Sequence, residues 1–178
     1  KKQISKLSSE VDNLKDKLFY FITNLDESSL SASNFYINLL GYLQDITQSI
    51  EYISKVSHKH INNNHSKLTL NQIRDLLDIQ RVVFEVFEII NSAFANKSFG
   101  DIKSILKDRN KTVGILEDKI EAQISRTRTA EEKSPKNAAL YFSILQESKD
   151  LMKEVMNLIE EYYVSYDKSV KPAKPKDE

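Results

Sequence analysis

All three histidines of this 178-residue chain fall in one stretch, SHKHINNNHSKL, as His58, His60 and His65. Imidazoles are common metal ligands and general bases, so a cluster of them raises both chemistries. Continuous helix argues against joint coordination, because residues two apart sit about 200° from one another around the axis. Beyond a helix end the chain can fold back, and His65 could then join one of the others in a metal or anion contact. The competing reading is a helix stop. Histidine near a C-terminus offsets the dipole, and asparagine is one of the few non-glycine residues that adopt the left-handed C′ conformation.

A second set of candidates is acidic. Asp12 and Asp16 form a DxxxD pair, and Glu117 and Glu121 form ExxxE with Asp118 between them. Residues four apart share one helix face, so each pair could chelate one divalent or ferric ion. The plainer alternative is the solvated face of a long helix. Arg126 and Arg128 in SRTRT could meet phosphate, or decorate a helix end. The chain holds many serines but no GxSxG, no glycine-rich phosphate loop and no cysteine. It therefore lacks any recognisable nucleophile motif, and neither catalysis nor an obligatory cofactor is expected.

The elements that must carry these residues are helices. Three glycines and three prolines are too few for a turn-rich fold, while 40% hydrophobic and 29% charged residues are ordinary for a folded domain. Lys+Arg and Asp+Glu balance at 26 each, which leaves no global field for nucleic acid. No apolar run approaches the roughly 20 residues of a membrane span, and no signal peptide is evident. A seam of Ile4, Leu7, Val11, Leu14, Leu18, Phe21, Ile22 and Leu25 predicts a first helix. The second is expected from about Ser33 to Ser57, with Gly41 inside it for close helix approach. Thr69 and Gln72 make a capping box for a third helix reaching Asn96, with Leu70, Ile73, Leu77, Val83, Phe84, Phe87 and Ile90 as its buried stripe. Ser98 is placed to cap a fourth, running to the RTRTAEEKS stretch. Ser134 with Pro135 starts a fifth, ending near Asp167. Tyr162, Tyr163 and Tyr166 read as core edge or partner surface. The tail 169–178 reads as disordered. Five helices of this length with short connections predict an all-α antiparallel bundle.

A weak internal repeat supports two similar halves. Shifting by 102 residues lays Leu14, Asp16, Lys17 and Leu18 on Leu116, Asp118, Lys119 and Ile120, and Leu43 and Gln44 on Leu145 and Gln146. The halves fall at 1–66 and 67–168, the first lacking an initial helix. The stretch IEYISKVSH resembles the LERIGDH helix ending of PhoU-like repeats. The longer run LQDITQSIEYISKVSHKHINNNHSKL resembles the PhoU-like cytoplasmic domain fused to sodium/phosphate cotransporters.

The resemblance implies a non-catalytic regulatory or scaffolding domain, soluble as a fragment, at the cytoplasmic face of the inner membrane. Its partners would be the transmembrane portion of its own chain and, in a homodimer, a second copy. It would touch membrane only through the full-length protein, and it would not bind nucleic acid. PhoU proteins can hold multinuclear metal clusters on E(D)xxxD motifs, which returns attention to Asp12, Asp16, Glu117, Asp118 and Glu121. The pattern departs at Lys55 and Asn157, where the motif aspartate would stand, and at Lys153 in place of its glutamate. Two other readings remain: a metal-binding or phosphate-sensing domain, and a coiled-coil-like signalling or structural module unrelated to phosphate.

Overall fold

The computed structural model describes residues 2–26, 29–96, 100–129, 131 and 133–167. Over these the chain is all-α: α1 (Lys2–Thr23), α2 (Leu30–Asn62), α3 (Leu70–Asn96), α4 (Gly100–Lys107), α5 (Arg109–Arg128) and α6 (Pro135–Asp167), with no strand. Ser98, the tail 169–178 and the side chain of Tyr166, all singled out above, lie outside the described residues.

Two helix starts follow directly from sequence. The Gln72 backbone N–H donates to Thr69 Oγ1 at 3.3 Å, and the Thr69 N–H donates to Gln72 Oε1 at 3.0 Å. This reciprocal box satisfies two amides that a helix start leaves unpaired. Ser134 Oγ accepts from the Asn137 N–H at 3.2 Å, and Pro135 opens α6 where a missing N–H costs nothing.

Other boundaries differ. α2 runs past Ser57 to Asn62, since His58 to Ile61 contain no breaker and Lys59 and His60 offset the dipole of the last turn. The fourth expected helix is divided at Asp108 into α4 and α5. There the backbone lies at φ −88°, ψ 6°, yet the Asp108 N–H still reaches the Ser104 carbonyl at 3.2 Å. Gly41 is not a point of close approach: a Cβ built there meets nothing within 4 Å.

The chain forms two compact units, 1–48 with 154–178 and 49–153, and α2 and α6 contribute residues to both. In the first, Val11, Leu25, Val155, Met156 and Ile159 are buried. Phe21 meets Tyr36 edge-on at 5.4 Å, Tyr36 meets Phe35 at 5.3 Å, and Phe35 meets Tyr162 at 6.4 Å. The first two are edge-to-face contacts, which add about 0.5–1.5 kcal/mol each to the area they bury. Leu14, expected in the seam of α1, is exposed.

In the second unit α3 packs on α4 and α5, and α4 on α5. The core holds Ile79, Val86, Ile90, Ala93, Ile102, Leu116, Leu145 and Met152. The stripe expected for α3 is largely outside it. Leu70, Ile73, Leu77 and Phe84 are exposed, and only Ile90 of the expected set is fully buried. α3 carries apolar residues on two faces, and periodicity alone does not say which face meets the core.

Candidate functional site

The histidine segment ends α2 as a Schellman motif. The His65 N–H donates to the His60 carbonyl at 3.4 Å and the Asn64 N–H to the Ile61 carbonyl at 3.1 Å, with Asn64 left-handed at φ 51°. That turn folds His65 back onto His60, with ring centroids 5.0 Å apart. His60 Nε2 lies 3.0 Å from the Ser66 carbonyl, which can only accept, so the proton of that contact is on His60. His58 Nε2 accepts from Asn62 Nδ2 at 3.0 Å. His58 is therefore engaged by its own helix.

The chain that follows is pinned to the start of α6. Asn137 Nδ2 donates to the Lys67 carbonyl at 2.7 Å, and Ser66 Oγ reaches Asn137 Oδ1 at 3.3 Å and Ser134 Oγ at 3.2 Å. The whole stretch is hydrogen-bonded as a helix stop and an inter-helix clasp.

The acidic candidates lie on separate helices. Asp12 and Asp16 are exposed on α1, and Glu117, Asp118 and Glu121 are exposed on α5. Glu117 is 3.8 Å from Lys149 Nζ. Among the described residues no three His, Cys, Asp or Glu side chains converge as a metal ion would need.

The densest polar cluster surrounds Asp75 on α3. Its carboxylate is paired with Lys119 Nζ through Oδ1 and with Arg126 through Oδ2 at 3.3 Å, while Tyr141 Oη donates to Oδ2 at 2.8 Å. Arg126 also donates from Nε to Gln123 Oε1 at 3.0 Å, and its guanidinium lies 5.7 Å from the centre of the Tyr141 ring. Gln123 Oε1 accepts from Gln72 Nε2 at 3.5 Å, so the cluster runs into the capping box of α3. The Asp75 side chain is only 14% exposed.

Burial by itself would raise the Asp75 pKa. Hydrogen bonds from Lys119 and Tyr141, with the charges of Lys119 and Arg126, outweigh it and hold the group below its ordinary value. Tyr141 is pushed above its ordinary value, first by burial and then by the hydrogen bond and charge of Asp75, with Arg126 opposing. A carboxylate kept ionised and a phenol kept neutral make a poor acid and a poor base at pH 7. The arrangement holds α3, α5 and α6 together.

Sequence reading singled out Arg126 for phosphate or a helix end, and it passed over Asp75, Gln123 and Tyr141. The available signal was spacing. Lys119, Gln123 and Arg126 fall on one face of α5 at steps of four and three, and Gln72 and Asp75 on one face of α3. No protein-family model, curated protein or solved structure matches the chain. Among the described residues no helix is long and apolar enough to cross a membrane.

Proposed function

We propose that this chain is a non-catalytic regulatory or scaffolding domain that works by presenting helix faces, and that it serves a sodium-dependent phosphate transporter from the cytoplasmic side. The observation that supports the contact part is the outer face of α3, where Leu70, Ile73, Leu77 and Phe84 are exposed on one side of a single helix. Large apolar side chains scattered singly are unremarkable, but a contiguous row marks an interaction surface. The transporter part is supported by the likeness of residues 43–68 to the PhoU-like domains of sodium/phosphate cotransporters. The polar cluster agrees with a role without chemistry, since its carboxylate is consumed by two cations and a phenol.

Phosphate uptake in cells expressing the full-length protein tests this reading. Leu77→Glu with Phe84→Glu should change the uptake rate by at least about twofold at equal expression. Unchanged uptake with those substitutions would overturn the contact role, and a reading frame without membrane-spanning segments upstream of Lys1 would overturn the transporter role.

A further inference from the structure

A cleft of about 590 Å³ lies where α3, α4 and α5 meet, and the break at Asp108 forms part of its wall. That volume falls within the roughly 300–1,000 Å³ of small-molecule sites. Its floor is apolar: Val86 and Ile105, both buried, line it together with Val82, Ile89 and Ile115. Its rim is acidic. Glu85 and Glu88 from α3, Asp101 from α4 and Asp108 from the break are all exposed there, against the single ammonium of Lys111. None of the four carboxylates makes an ion pair or a hydrogen bond among the described residues.

Two groups in the wall depart from local habit. Asp108 is the N-cap of α5, where an aspartate ordinarily accepts from the second or third amide of the helix, yet its side chain makes no capping bond. One turn further on, Thr112 is 8% exposed and lines the cavity, and its hydroxyl has no hydrogen-bond partner among the described residues. A helical threonine can return its proton to the carbonyl one turn back, as Thr47 and Thr127 do. Thr112 does not, and a buried hydroxyl left unpaired is costly unless something else supplies the bond.

We infer that this cleft is a binding site for an aliphatic polyamine. The excess of carboxylate calls for a cation, and the distribution of the groups decides which kind. A compact metal ion needs several oxygens converging on one point, and among the described residues no three acidic side chains do so. The carboxylates are spread instead. Glu85 and Glu88 are one turn apart on α3, while Asp101 and Asp108 are two turns apart, about 10 Å along α4 at 1.5 Å per residue. Ammonium groups separated by methylene chains match this alternation, the charges meeting the rim and the chain lying on Val86 and Ile105. Thr112 Oγ1, with both lone pairs free, accepts from an ammonium N–H that reaches the floor. No aromatic ring lines the cleft, so nothing there favours a quaternary ammonium over a protonated amine. A single lysine from a partner protein would answer only one of the four carboxylates. The same charge repels phosphate, so the site goes beyond the transporter reading and does not depend on it.

Calorimetric titration of the 178-residue chain with spermidine at low ionic strength tests the inference, with circular dichroism as the check on folding. One spermidine should bind per chain. Glu85→Gln with Glu88→Gln should weaken binding at least about tenfold. Thr112→Val, which keeps the shape and removes the hydroxyl, should weaken it about threefold or more with helicity unchanged. Putrescine, with one ammonium fewer, should bind more weakly than spermidine. No saturable heat with spermidine, or variants that bind it as wild type does, would overturn the inference. Magnesium ion displacing spermidine at equal concentration of charge would also overturn it, by making the cleft a plain acidic surface. So would a tetralysine peptide that binds where spermidine does not, which would assign the cleft to the lysines of a partner protein.

Discussion

α3 has two sides that look alike in sequence and behave oppositely in the fold. One carries Ile79, Val86 and Ala93, seven residues apart, in the core; the other carries Leu70, Leu77 and Phe84 with the same period, facing out. The outward row has the larger side chains. The inward side instead includes two polar groups, Gln72 and Asp75, that are tied to α5 and α6. Hydrophobic size therefore does not decide which face becomes core. Complementary partners on neighbouring helices do, because a buried amide or carboxylate is tolerated only where its hydrogen bonds are supplied.

The contrast is broken most severely from the inside. Ile79→Ala should lower unfolding free energy by about 2–5 kcal/mol in urea titrations, through lost burial and the cavity left behind. Asp75→Asn should cost about 1–3 kcal/mol, because Lys119 and Arg126 would keep their burial and lose their countercharge. It should also alter the acid limb. The folded-state pKa of Asp75 lies below its unfolded value, so the stability it provides is present above about pH 4 and lost as pH falls below that. Stability measured from pH 6 down to pH 2 should fall less steeply in the variant than in wild type.

Tyr141→Phe should cost about 1 kcal/mol at pH 7. The Tyr141 pKa is raised on folding, so its contribution is complete below about pH 10 and is lost as pH climbs beyond that. The variant should lack this alkaline decline. Gly114→Ala, in the interior of α5 with open space around the new methyl, should raise stability by about 0.5–1 kcal/mol. The smallest effect is predicted on the outward row. Leu77→Gln should leave the unfolding free energy of dilute protein within about 0.5 kcal/mol of wild type. A loss comparable to that of Ile79→Ala would mean that the two faces are not different after all.

What sequence made legible were features written in neighbouring residues. The Thr69–Gln72 box, the Ser134–Pro135 start and a left-handed asparagine between His60 and His65 are all local chemistry. The core residues of α6, among them Tyr141, Leu145, Met152, Val155 and Ile159, share that helix with a second apolar row at Ile144, Leu151 and Leu158. α3 likewise carries two apolar rows, and the expected buried stripe is largely the outward one. The Asp75 cluster joins residues 44 to 66 positions apart, so no spacing rule along the chain could pair them. α2 continues beyond the expected Ser57 because the first residue in the left-handed conformation is Asn64.

Gln72 has a consequence of another kind. Its Oε1 holds the first amide at the start of α3, while its Nε2 reaches sideways to Gln123 on α5. One side chain thus answers to two geometries, the winding of its own helix and the seating of that helix on a neighbour. Rolling or sliding α3 along α5 would strain either the contact to Gln123 or the cap at Thr69. The amide thus links the rotational phase of α3 on α5 to the order of its own first turn.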